Sequence, residues 1–190
     1  MKIRGLLIAS LAALAAISSA DTFLVPVTFT LAPSVDGLYD PDNTDVSFDM
    51  TAVLPGYQNF SITGIQWDDI VIETIGNSWL SDVVISFEAT SAETTVANFY
   101  DSNPGTGDDA SGTGSYSSGG LLPASVDLDP DNMLRIHIWE IFDDVAGAAD
   151  ATVVSGIYTL QFEATPVPEP ATLVALGIGA AALVRRRKKK

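Results

Sequence analysis

Between residues 21 and 165 apolar side chains return at every second position, the repeat of a strand with one buried face, and this limits the segment to β structure. Phe23, Val25, Val27, Phe29 and Leu31 alternate with Thr22, Pro26, Thr28 and Thr30; Val46, Phe48, Met50 and Ala52 alternate with Asp45, Ser47, Asp49 and Thr51. Pro26 cannot donate to a ladder, so the first strand is expected at a sheet edge. Residues 69–75, 82–90, 133–141 and 153–164 read as further strands from their Val, Ile, Phe, Tyr and Thr content. In the last of these Val154, Tyr158, Leu160 and Phe162 share a face, opposite Ser155, Thr159, Gln161 and Glu163. Phe48, Ile85, Leu160 and Phe162 should point inward, whereas Thr28, Glu88 and Gln161 should lie on the alternate faces and tolerate change.

Turn pairs such as Pro55-Gly56, Gly76-Asn77 and Ala146-Gly147 punctuate these runs. Short strands at such intervals predict an all-β fold, an antiparallel, jelly-roll-like β-sandwich spanning 21–165, with an open antiparallel barrel as the alternative. Residues 101–120, rich in Gly, Ser, Thr and Asp, are expected to form a flexible loop, because so few apolar groups cannot offset the entropy of ordering.

Charge is segregated. Residues 21–168 hold 23 acidic side chains against Arg135 alone among Lys and Arg, a formal charge near −22. Such a polyanion repels phosphate, so nucleic acid is excluded as a partner. There is no cysteine and only one histidine, His137, which removes disulfides, thiolate metal sites and cysteine nucleophiles. No G-x-S-x-G elbow occurs, and no two carboxylates are marked as a glycosidase pair. A non-enzymatic protein is therefore expected, a hydrolase being the least supported alternative.

Both ends read as addresses. Residues 1–20 have a basic start (Lys2, Arg4), an apolar run from Leu6 to Ile17, and Ser18 and Ala20 at the positions a signal peptidase reads. Cleavage after Ala20 would expose Asp21. At the other end Val167-Pro168-Glu169-Pro170 leads into an apolar helix expected over 171–184 and a basic tail, 185–190, whose cations stay cytoplasmic. That 14-residue run is shorter than an ordinary membrane span, and the Arg stems extend its reach.

These three parts in order, over 166–190, resemble the PEP-CTERM sorting signal of bacterial exported proteins. The resemblance implies that Pro168, Glu169 and Pro170 are recognised by a membrane-embedded, exosortase-type protease. It implies that Arg185, Arg186 and Arg187 act as the membrane stop. The protein is then exported across the inner membrane, anchored transiently by its C-terminal helix, and delivered to the cell surface or an exopolysaccharide matrix. The exported domain itself is not covered by that resemblance.

Within the domain two features suggest ligands. Arg135, His137 and Trp139 fall on one side of a strand whose other side carries Leu134, Ile136 and Ile138, a row suited to stacking on a sugar and bonding a carboxylate. Two acidic clusters, Asp40, Asp42 and Asp45 and then Asp127, Asp129 and Asp131, offer alternate carboxylates of the kind calcium takes, although neither completes an EF-hand and the same residues form turns. A structural or adhesive surface protein is thus the first expectation, and a carbohydrate- or calcium-binding module, with extracellular polysaccharide as partner, the alternative.

Overall fold

The computed structural model describes residues 19–90, 92–100, 109–168, 177–179 and 185. Nine strands occur among them: β1 (Asp21–Ser34), β2 (Thr44–Asp49), β3 (Tyr57–Thr74), β4 (Val83–Ala89), β5 (Ala92–Tyr100), β6 (Thr113–Tyr116), β7 (Leu122–Asp127), β8 (Met133–Glu140) and β9 (Ala151–Pro166). Every pairing is antiparallel. One sheet has the order β1-β9-β3-β6, with β7 also paired to β3, and the other the order β2-β8-β4-β5. First strand pairs with last and second with penultimate, so the chain rolls up as a folded ribbon into two facing sheets. Pro26 lies on β1, an edge strand, as its missing donor requires.

Aromatic rings join the sheets. Phe87 of β4 meets Tyr158 of β9 edge-to-face at 6.2 Å, and Phe99 of β5 meets Trp67 of β3 at 5.9 Å. Ile85, Leu160 and Phe162 are fully buried, Thr28 is exposed, and Phe48, near an edge, is half-buried. Cutting Phe162 to Ala should cost about 3–5 kcal/mol by lost transfer energy and a cavity, and Thr28→Ala no more than about 0.5 kcal/mol. Reversed losses in urea titrations, Thr28→Ala costing more than Phe162→Ala, would show that the register is off by one residue.

The structure departs from simple alternation where the long strands kink. Asp69 of β3 takes a left-handed φ of 47° and Leu31 of β1 one of 51°. Beside them the β3–β9 pairing slips between Asp68↔Ile157 and Ile72↔Val153. In consequence Val153, not Val154, enters the core, and Leu31 is turned out at 68 % exposure while Ala32 is buried. Gly156 makes the crowding tolerable: a Cβ there would stand 2.7 Å from Ile70 Cα, at a φ of 149° that other residues rarely adopt.

The Gly/Ser/Asp segment also differs from expectation. Its residues 101–108 lie outside those described, but Thr113–Tyr116 is a strand, with Ile70↔Tyr116 and Glu73↔Thr113 in register. Ser117 Oγ then accepts from Asp69 N at 2.9 Å and Ser118 Oγ from Trp67 N at 3.1 Å. An edge ladder is held by backbone and hydroxyl hydrogen bonds, and with Tyr116 packed against the core this half orders with little apolar bulk.

The expected signal peptide falls almost wholly outside the described residues, as does most of the expected helix over 171–184. Residues 177–179 and 185 are helical, and among the described residues no helix is long and apolar enough to cross a membrane.

Candidate functional site

Strand β8 carries Arg135, His137 and Trp139 on its outer side as the alternation requires, with Leu134, Ile136 and Ile138 buried beneath. The row is nevertheless not an open ligand face. His137 is 2 % exposed and Glu88, facing it from β4, is 0 % exposed, so the expectation that Glu88 tolerates change is overturned. Glu88 Oε1 lies 2.8 Å from His137 Nε2 and 3.4 Å from Arg135 Nη1, and Oε2 accepts from Tyr39 Oη at 3.0 Å. The Tyr39 ring stands edge-on to the imidazole at 5.4 Å. Trp139 Nε1 donates to Ser86 Oγ at 2.6 Å, and Ser86 Oγ donates to Asn98 Oδ1 at 2.7 Å. A buried carboxylate needs such donors, and here it obtains them from the neighbouring strand β8 and a loop.

That loop, residues 35–43, is tied by Asn43. Its Oδ1 accepts from Val35 N at 2.7 Å, and its Nδ2 donates to Asp36 O at 3.0 Å and Gly37 O at 2.9 Å. The loop carries Tyr39 across the sheet in a left-handed conformation, φ 74°. Asparagine spacing gave no hint of this cover.

The two acidic clusters close turns. Asp40 Oδ1 accepts from Asp42 N at 2.8 Å, while Asp45, on β2, turns to His137 Nδ1 at 3.9 Å. Asp127 Oδ1 accepts from Asp129 N at 3.1 Å; Asp131 accepts from Met133 N at 3.1 Å and Thr90 Oγ1 at 2.7 Å. Neither triplet is gathered around a point, and among the described residues no three His, Asp or Glu side chains stand ready to hold a metal.

A different acidic group forms where the sequence singled out nothing. Glu140 ends β8, Asp150 immediately precedes β9 and Asp82 immediately precedes β4, which brings all three to one end of the sandwich. Glu140 and Asp150 are 0 % exposed and Asp82 6 %. Burial, with the charges of Asp150, Asp82 and Asp144, pushes Glu140 up to about 8 against a hydrogen bond with Ser34 that lowers it. Asp82 is raised by burial and by Asp144, Asp109 and Asp150, against a hydrogen bond from the Trp79 backbone that lowers it. Asp143 is raised by desolvation, then by Asp36, Asp150 and Asp144. Asp150 Oδ1 and Ser78 Oγ are buried without a hydrogen-bond partner, Glu140 has no close one and only the Ser34 hydroxyl turned towards it, and Asp150 Oδ2 accepts from Asp144 N at 3.0 Å. Beside them an open cleft of about 510 Å³ is lined by Asn77, Trp79, Asp82, Phe142, Asp143 and Asp144, with Trp79 47 % and Phe142 61 % exposed.

The opposite end of the domain leads to the sorting segment. Strand β9 lies between β1 and β3 and ends at Pro166, where Val167 N donates to Gly56 O at 2.8 Å. Pro168 is exposed. Glu169, Pro170, Arg186 and Arg187 lie outside the described residues, and Arg185 is exposed and helical.

No curated protein matches the chain. Among solved structures it is similar to one of turnip yellow mosaic virus, at 10 % identity and a TM-score of 0.29 over 89 % of this chain and 94 % of that one. An empty-head structure of turnip yellow mosaic virus (ATC) is similar at 12 % identity and a TM-score of 0.28, over 88 % and 93 %. Likeness at that level carries no argument about fold or function. Residues 166–188 match the family model of the PEP-CTERM protein-sorting motif. The chain is therefore one that carries a PEP-CTERM sorting signal, beginning where the last described strand of its β domain ends.

Proposed function

We propose that this is an exported, non-enzymatic protein of the bacterial cell surface or exopolysaccharide matrix, acting structurally or adhesively through a jelly-roll sandwich. The observation that carries this reading is the sorting motif at 166–188, which begins where β9 ends. Signal peptidase removes residues 1–20, the C-terminal helix anchors the intermediate, and an exosortase acts at Pro168-Glu169-Pro170 to release the acidic domain outside. A structural role is supported by Glu88, His137 and Arg135, which partner one another under Tyr39 instead of facing an opening. An adhesive role is supported by the cleft beside Trp79 and Phe142, since exposed aromatic faces flanked by carboxylates suit neutral polymers.

Replacing Pro168, Glu169 and Pro170 by Ala should trap a longer, membrane-bound species. Mass spectrometry of the released protein should find no peptide from residues 184–187. Such peptides in the extracellular fraction would show that the tail is retained and would sink the processing scheme.

A further inference from the structure

We infer that the buried acidic end of the sandwich binds a hard divalent cation, calcium, between Glu140 and Asp150, with Asp82 and Asp144 at its edge. Asp150 Oδ1 and Ser78 Oγ, both buried, have no hydrogen-bond partner there, and the buried Glu140 carboxyl has only the Ser34 hydroxyl turned towards it, with no close bond. Buried polar atoms in folded proteins are nearly always satisfied, and a carboxylate left alone is among the costliest exceptions.

The backbone ties these groups to adjoining strand ends. Asp150 N donates to Ser34 O at 3.0 Å, Ile75 N to Asp150 O at 2.7 Å, Ser78 N to Ile75 O at 3.3 Å, and Ile141 N to Asp82 O at 3.2 Å. Residues 21–168 supply these groups with no free Lys or Arg. Arg135 is the only Lys or Arg between residues 21 and 168, and it is engaged with Glu88, as is His137. Neutralisation must come from solution.

The available donors are all oxygen, which selects hard cations and disfavours zinc or copper. Calcium accepts a mixed shell of carboxylate, hydroxyl, main-chain and water oxygens in a loose geometry, whereas magnesium demands a tight octahedron. Among the described residues no three acidic side chains are gathered as a cage, so the remaining oxygens would have to come from hydroxyl, main chain and water. Asp82 and Asp144 line the neighbouring cleft, and Asp144, exposed on the 141–150 loop, reaches the buried group through its N, which donates to Asp150 Oδ2 at 3.0 Å.

The test uses the full-length chain in detergent, melted with and without calcium. About 1 mM calcium chloride should raise the Tm by about 5 °C or more, while sodium chloride at matched ionic strength should not. Glu140→Gln and Asp150→Asn should each abolish the calcium increment. Equal shifts in both salts, or an increment that persists in both variants, would overturn the site. Should either variant fail to fold, terbium luminescence sensitised through tryptophan decides on the wild-type background. Calcium should displace the signal, and Trp79→Phe should remove more than half of it. Emission that calcium cannot displace, or that ignores the loss of Trp79, places the ion elsewhere and refutes the proposal.

Discussion

Glu88→Ala is expected to cost about 3 kcal/mol or more in unfolding free energy, because removing one member of a buried charged group strands the others. His137, 2 % exposed, would lose its 2.8 Å partner, Arg135 its counter-ion, and Tyr39 the acceptor that holds its loop across the sheet. Glu88→Gln keeps an acceptor oxygen and should cost less. Urea unfolding at neutral pH measures both. A loss below about 0.5 kcal/mol for the Ala variant, the size ordinary for an exposed residue, would mean that the cluster is not closed in solution.

The other buried glutamate should behave in the opposite sense. With a chelator present, Glu140→Gln is expected to stabilise the protein at pH 9 by roughly 2–4 kcal/mol and to change little at pH 5. Its carboxyl is raised from 4.5 to about 8, so the folded chain holds the proton more tightly than the unfolded chain does. The stability contributed by the protonated group is fully present below the unfolded value, is lost as pH rises towards about 8, and falls no further beyond it. Asp82 and Asp143, also raised, leave a smaller slope of the same sign in the variant. Denaturation of wild type and variant at pH 5, 7 and 9 checks this. Parallel pH profiles for the two proteins would show that Glu140 does not titrate in that window.

These two glutamates mark how far the sequence could be read. Alternation along β8 assigned Leu134, Ile136 and Ile138 inward and Arg135, His137 and Trp139 outward correctly. It could not show that the outer row is roofed, because Tyr39 arrives from a separate loop and Glu88 from a separate strand. In β9 the placement of Tyr158, Leu160 and Phe162 was legible, and Val154 was misread because a kink shared with β1 and β3 reverses the faces. The first half of β3 escaped notice for the same reason. Its pairing slips after Gln58 and again after Ile62, so no run keeps one parity long enough to register as a strand. Asp82, Glu140 and Asp150 each sit beside a turn, where an acid is ordinary. Only the sheet order, which lays β8 beside β4 and β9 beside β3, brings them to one place.

The position of β9 has a consequence for the order of events during export. It is the last strand of the domain and the central partner of both β1 and β3. A chain that crosses a membrane N-terminus first delivers β9 last, so its first and third strands wait with open edges, and the sheet closes only once residue 166 has emerged. On the proposed anchoring, the apolar segment that follows would by then be entering the bilayer and would hold the chain at the surface while the non-local ladders, slow to form, register. A cut made after Pro166 then releases a closed sandwich. A cut made earlier would release two unpaired edges, the kind of surface on which chains aggregate. Placing the recognition motif immediately beyond the keystone strand makes complete translocation a condition of release.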